Sequence, residues 1–192
     1  MAVLDRLRGF WQTFMFEQPQ PEQDFLFNAP LVPLDSLTEF ADDYEIRPLT
    51  IKHLEELDEL DRRCFTNGDS YTRHTLEFLL KEPNSLAYRV VSPKTGQMAA
   101  FVIAMHEQDG TGHITTIGVA PEHRRRGLAF VLLERVENAF RLRNVRTMRL
   151  EVRTNNFGAQ QLYNRAGYSV AQRMNHYYAN GGDGFLMVKS LV

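Results

Sequence analysis

The stretch that decides the fold is Val119-Ala-Pro-Glu-His-Arg124-Arg-Arg-Gly127-Leu-Ala129. The residues before it, His113 to Val119, form a β-branched run that predicts a strand. After it, Leu128, Val131, Leu132, Val136, Ala139 and Leu142 recur at helical spacing and predict a helix from about Gly127 to Arg143. A helix start has four backbone N–H groups without an intrahelical acceptor, and the helix dipole leaves partial positive charge there. Gly127 lets the backbone approach a ligand, Ala129 keeps the first turn uncrowded, and Arg124, Arg125 and Arg126 add cations. Such a turn can cradle phosphate. It is not a Walker loop, since no Gly-Lys-Ser/Thr follows, and its glycine spacing is not that of a dinucleotide fingerprint. Taken alone, the stretch also fits a solvated basic helix start.

Working outward, the chain alternates strand and helix from Glu45 onward. Glu45–Pro48 reads as a short strand, and Thr50 as the cap of a helix reaching Cys64 with Leu54, Leu57 and Leu60–Asp61 on its face. Thr72–Lys81 is a second helix. Leu86–Val91, Ala99–His106 and His113–Val119 form an antiparallel meander turned at Pro93–Gly96 and Asp109–Gly112. Beyond the central helix, Met148–Val152 is a strand, Phe157–Ala166 a helix ended by Gly167, and Tyr168–Tyr178 and Gly184–Ser190 two last strands. The order is β-α-α-β-β-β-α-β-α-β-β. Upstream, Leu4, Leu7, Phe10, Trp11, Phe14 and Met15 share one helical face within residues 1–16. Residues 17–44 are acidic and proline-containing, an arm or linker.

Composition narrows the classes. The 192 residues carry a net charge of −2, which gives no global reason to expect nucleic acid as a partner. No apolar run reaches the roughly 20 residues of a membrane span. The single cysteine, Cys64, excludes an intramolecular disulfide and suits a cytoplasmic protein; between Arg63 and Phe65 it reads as a small buried side chain. The six histidines show no metal-ligand spacing, so no metal is expected. The segment 1–16, with only Arg6 and Arg8 as cations, is read as packing on the same or a neighbouring copy, in a monomer or homodimer.

Arg124-x-x-Gly127-x-Ala129 resembles the acetyl-CoA motif of the GNAT superfamily of N-acetyltransferases, Gln/Arg-x-x-Gly-x-Gly/Ala, and the element order is that fold's order. The resemblance covers about residues 45–191. Leu150-Glu-Val-Arg153-x-x-Asn156-x-x-Ala159-x-x-Leu162-Tyr163-x-x-x-Gly167-Tyr168 is similar to the N-terminal acetyltransferases, the RimI-type ribosomal-protein alanine enzymes and the Ard1-type catalytic subunits. Tyr177-Tyr178-Ala-Asn-Gly-Gly-Asp183 is similar to their Tyr-Tyr-x-x-Gly-Glu-Asp segment. The resemblance implies an α/β (α+β) fold, a mixed, mostly antiparallel sheet of about seven strands flanked by about four helices. It also implies acetyl-CoA as cosubstrate, held by Arg124, Arg125, Arg126, Gly127, Leu128 and Ala129, with Asn156 and Tyr163 contacting it. Backbone N–H groups near Ile117, Gly118 and Val119 would hold the oxyanion where the fourth and fifth strands splay.

Acetylating an amine requires a neutral nitrogen, a polarised thioester and a proton for the leaving thiolate. A protein α-amine has a pKa of about 7.7–8.0, so a modest base suffices. Glu151, mid-strand on the face shared with Arg149 and Arg153, is the first candidate base, and the resemblance assigns the matching glutamate that role. A surface ion pair with either arginine is the alternative. His113 is a second candidate base or a plain strand-end histidine. Tyr163 matches the family's acid. Asn156 is a CoA contact or a helix cap. On the acceptor side, Asp69 and Tyr71 match a Glu-x-Tyr that contacts the first peptide residues, and Tyr177 and Tyr178, taken as strand residues with one of them core, line the other wall. Gly182 and Gly184 replace the family's usual acid and alanine, which predicts a looser loop. The function expected is acetylation of a protein N-terminal amine. The alternatives are a lysine or small-amine acetyltransferase, a non-enzymatic acetyl-CoA sensor, and nucleic-acid binding through the arginines.

Overall fold

A computed structural model describes residues 44–66 and 68–192. The amphipathic segment 1–16 and, apart from Tyr44, the acidic arm lie outside the described residues. Strand β1 (Glu45–Pro48) is followed by a 3-10 turn (Ile51–His53) and helices α1 (Leu54–Cys64) and α2 (Arg73–Lys81). Strands β2 (Ser85–Val91), β3 (Met98–His106) and β4 (Gly112–Val119) form the expected meander. A 3-10 turn (Pro121–His123) leads into α3 (Leu128–Arg141), and β5 (Thr147–Arg153), α4 (Phe157–Arg165), β6 (Ser169–Met174) and β7 (Gly184–Ser190) complete the chain. Thr50 therefore opens a 3-10 turn rather than the α-helix itself. Its backbone N–H donates to His53 Nδ1 at 3.1 Å, which tightens the first turn before α1 begins.

The seven strands form one sheet in the order β1-β2-β3-β4-β5-β7-β6. Every pairing is antiparallel except β4 with β5. β3 shows why the sheet is covered on both faces. Ala100, Val102 and Ala104 join the core beneath α3 and α4, with Leu132, Leu133, Val136 and Phe140. Phe101 and Ile103, pointing the other way at period two, join Leu57, Leu60, Leu76 and Leu79 of α1 and α2. Both small clusters of side chains are buried, so the sheet is the middle of three layers. No helix among the described residues is long and apolar enough to cross a membrane.

Two local departures in this frame create the site. β4 and β5 pair only through Gly112–Ile114 and Met148–Leu150. Beyond Ile114, β4 stays with β3 while β5 continues along β7, so the two parallel strands diverge at their C-terminal ends. A register shift then sets Ile103 opposite Thr116 but Ala104 opposite Ile114, leaving Thr115 as an extra residue on β4. A bulge of this kind bends its strand and re-aims the neighbouring groups.

Candidate active site

The β4–α3 connection brings the anion-binding stretch to the mouth of the split. Pro121 starts the 3-10 turn, and Arg63 of α1 grips Glu122 through one guanidinium nitrogen at 2.7 Å from both carboxylate oxygens. Tyr44 Oη lies 2.9 Å from His123 Nδ1. Arg124 Nε donates to the Val119 carbonyl at 3.3 Å, folding the loop back on the strand end. Gly127 is the N-cap of α3 and has φ = +74°, which an L-side chain rarely adopts. A Cβ built there would meet nothing within 4 Å. Glycine is therefore required by the backbone angle, and the space over the helix start is open for a ligand. Arg124, Arg125 and Arg126 are exposed around it. Helix start, cations and open space together fit a pyrophosphate.

Gly118 has a different reason. A Cβ at this position would run into the Phe101 ring and sit 3.0 Å from Cys64 Sγ, so the strand packs tightly on the α1 layer. Burial pushes the Cys64 thiol up to about 11, which leaves it protonated and a poor nucleophile. Asn156 is the N-cap of α4, its Oδ1 accepting from Ala159 N–H at 3.1 Å. A groove of about 280 Å³ is lined by Cys64, Phe65, Thr66, Asp69, Arg153, Asn155 and Asn156.

The inner end of the split holds the candidate chemistry. Glu151 does not pair with either arginine beside it on β5. Its Oε2 lies 2.7 Å from His113 Nε2 on β4. The two candidate bases are thus one hydrogen-bonded pair, joined where β4 and β5 still run side by side: His113 is paired with Arg149, and Glu151 lies two residues further on. His113 is buried, 4% exposed, not a solvent-facing strand end. Burial pulls its pKa down, but Glu151 and Glu107 outweigh this and raise it to about 9. Arg149 is held by the β3–β4 turn, 3.3 Å from Asp109 and 3.8 Å from Glu107.

Four phenols feel the Glu151 charge. Burial, then the Glu151 carboxylate, raise the pKa of Tyr71, Tyr163 and Tyr177, while for Tyr178 burial and Asp69 precede Glu151. Each stays a neutral O–H donor at working pH. Tyr71 is positioned by α1: its backbone N–H donates to Asp61 Oδ2 at 2.8 Å, and its hydroxyl reaches the carbonyl of the bulged Thr115 at 3.4 Å. Asp61 is fully buried, and desolvation lifts its carboxyl to about 7. Tyr163 is buried on α4, its ring edge-on to Tyr168 with centroids 6.1 Å apart.

Tyr177 and Tyr178 correct a sequence-based expectation. β6 ends at Met174, and both tyrosines lie in the connection to β7, half-buried and edge-to-face with centroids 5.1 Å apart. Past the end of β6 Asp183 holds the chain in its turn: Oδ1 accepts from His176 N–H at 2.9 Å and Oδ2 from the Arg173 guanidinium at 2.8 Å. Neither tyrosine is a strand residue of the core. The glycine-bearing loop is also hydrogen-bonded closed, with Tyr178 N–H to the Gly182 carbonyl at 3.0 Å.

Asp69 forms a two-pronged ion pair with Arg153. The guanidinium lies over the Tyr178 ring, 3.9 Å from its centroid, and donates to Asn180 at 3.2 Å. A Cβ on Gly182 would come within 2.5 Å of Arg153 Nη1. The missing side chain at Gly182 is what makes room for this bridge across the groove. Gly182→Glu is accordingly expected to displace Arg153 and release Asp69. The outcome to measure is a change in relative kcat/KM between acceptor peptides of roughly tenfold, about 1.4 kcal/mol, with acetyl-CoA affinity unaltered. Unchanged ratios would show that the bridge does not face the acceptor.

The sequence pointed to neither Glu107 nor Asp61 as part of this site. An acid on the apolar face of α1 was the available signal for Asp61. Glu107, in a turn, carries none.

A split sheet, a glycine-capped helix start ringed by arginines at its mouth and a buried Glu–His pair at its inner end fit a group-transfer enzyme drawing on a phosphorylated carrier. The chain belongs to the acetyltransferase (GNAT) family, whose model matches residues 54–168 and whose members use acetyl-CoA. It is 31% identical over 145 residues to an uncharacterized N-acetyltransferase of Methanocaldococcus jannaschii, spanning 75% of this chain and 90% of that one. It is 26% identical over 160 residues to an N-alpha-acetyltransferase of Sulfolobus acidocaldarius, spanning 77% and 93%. The crystal structure of the ribosomal-protein-S18-alanine N-acetyltransferase from Escherichia coli aligns with a TM-score of 0.69 at 26% identity, covering 77% of this chain and 94% of that one.

Proposed function

We propose that the protein transfers the acetyl group of acetyl-CoA to the N-terminal α-amine of a protein, by direct attack, with Glu151 and His113 as the base pair and Tyr163 as the acid. The observation that carries this reading is the hydrogen-bonded Glu151–His113 pair at the point where β4 and β5 part. The names of the Sulfolobus and Escherichia relatives support an α-amine as acceptor.

The bound cosubstrate supplies an activated thioester carbonyl. The exposed N–H groups at the start of α3, with Arg124, Arg125 and Arg126, hold its phosphates, and Leu128 and Ala129 shape the first turn beneath them. Open backbone of β4 around Ile117, Gly118 and Val119 stabilises the developing oxyanion. Glu151 takes one proton from the α-ammonium; the nitrogen attacks the carbonyl carbon, and the C–S bond breaks as the Tyr163 hydroxyl donates to sulfur; the second ammonium proton passes through solvent to the Tyr163 phenolate, and Glu151 gives up its proton to solvent. In sum an ammonium and a thioester give an amide, a thiol and one proton released to solvent. Asp69, Tyr71, Tyr177 and Tyr178 form the walls that receive the first acceptor residues, Asp69 through its bridge to Arg153. The cytoplasm, where protein N-termini emerge, is the location this reading proposes.

The test is acetylation of a peptide array with free or blocked N-termini, read by mass spectrometry. Acetate should appear on α-amines and vanish when they are blocked. Transfer confined to lysine side chains or polyamines would overturn the α-amine assignment.

A further inference from the structure

His113 has a second carboxylate neighbour that no role above uses. Glu107 closes β3 into its turn, and its Oε1 lies 3.4 Å from His113 Nδ1, on the ring edge opposite Glu151. The turn is built to hold it there. Glu107 N–H donates to the Thr111 carbonyl at 2.8 Å, and Gly110 N–H returns to the Glu107 carbonyl at 3.0 Å. Asp109 Oδ1 accepts from both Thr111 N–H at 2.9 Å and its hydroxyl at 2.6 Å. Glu107 is partly exposed while His113 is buried, so the turn reaches from solvent to the inner end of the site.

The groups facing His113 are Glu107 from the turn, Glu151 and Arg149 from β5, and the uncharged Met105 opposite it on β3. The Glu151 charge in turn acts on the phenols of Tyr71, Tyr163, Tyr177 and Tyr178. A neutral imidazole has one N–H and one lone pair. Set between two carboxylates, either tautomer turns that lone pair against a negative oxygen. Only the doubly protonated ring satisfies both sides.

We propose that Glu107 is a positioning residue for the acetyl transfer: it holds the His113 ring as an imidazolium whose Nε2–H occupies Glu151 Oε2, leaving the other Glu151 oxygen for the acceptor amine. This rests on Glu151 being the base. With Glu107 in place, the ring cannot act as an independent base at working pH. His113 orients Glu151, and the proton from the amine goes to Glu151. The contact with His113 also holds the Glu107 carboxyl below its ordinary range, outweighing burial.

The experiment combines nitrogen-15 NMR of the His113 ring with steady-state kinetics on wild type, Glu107→Gln and Glu107→Asp. In wild type both ring nitrogens should stay protonated to about pH 9. In Glu107→Gln the midpoint should fall by about 1–3 pH units, the effect of removing one close opposite charge. At pH 8, kcat should fall roughly tenfold, with KM for acetyl-CoA unchanged. Glu107→Asp, which keeps the carboxylate but draws it back, should fall between the two in both readouts and serves if the glutamine variant does not fold. A His113 midpoint unmoved in either folded variant overturns the proposal. The ring titration does not depend on turnover, so it decides Glu107 even if Glu151→Gln proves fully active and the base assignment fails.

Discussion

Glu151→Gln is expected to lower kcat by about 10²–10⁴-fold at pH 7, the range for losing a general base. The amide oxygen can still accept the His113 Nε2–H bond now 2.7 Å long. The pair's geometry is kept and only the proton acceptor is lost. KM for acetyl-CoA should change little, because its proposed binding groups lie at the start of α3. The deficit should narrow as pH rises above about 8, where the α-amine is largely neutral without help. Steady-state rates on a peptide acceptor from pH 6 to 10 provide the check. A variant within threefold of wild type at pH 7 would remove Glu151 from the mechanism.

Gly127→Val should weaken CoA binding by roughly 10–100-fold. A β-branched residue at φ = +74° is strained, by about 1–3 kcal/mol for such outliers, and each 1.4 kcal/mol is a factor of ten in affinity. The protein can relieve the strain by unwinding the first turn of α3, which turns the N–H groups away from the phosphates. If the backbone holds, the added methyls project into the open space where the phosphates belong. Core packing is untouched, since no atom lies within 4 Å of the Cβ position. Fold and melting behaviour should therefore suffer far less than affinity. Calorimetric titration with CoA measures the effect, and wild-type affinity would show that the helix start is not the phosphate site.

Much of the fold was legible because its elements announce themselves locally. Turn residues marked the meander of β2, β3 and β4, and helical spacing marked α3 with boundaries off by one or two residues. Tyr177 and Tyr178 were misplaced for an equally physical reason. Aromatic residues favour strands, but at this position a hydrogen-bonding acid, Asp183, seven residues from His176, outcompetes the ladder and turns the chain. No propensity scale contains that bond. Nor does the sequence show what the missing side chain at Gly182 makes room for: the space there is taken by Arg153.

The first motif, Arg124–Ala129, folds as read, a loop ending in a helix start, because a helix start needs only its near neighbours. The chain's own order thus determined the family fold, that helix start and the identity of the residues available for chemistry. Their partnerships were decided elsewhere. Glu151 had two arginines within two residues on its own strand, yet it pairs with His113, 38 positions away, because β4 and β5 run parallel just long enough to bring them together. Arg153 pairs with Asp69, 84 positions away, because a glycine on a third segment leaves room. Alternation along a strand says which face a side chain occupies. Only the packing of strand against strand says what meets it there.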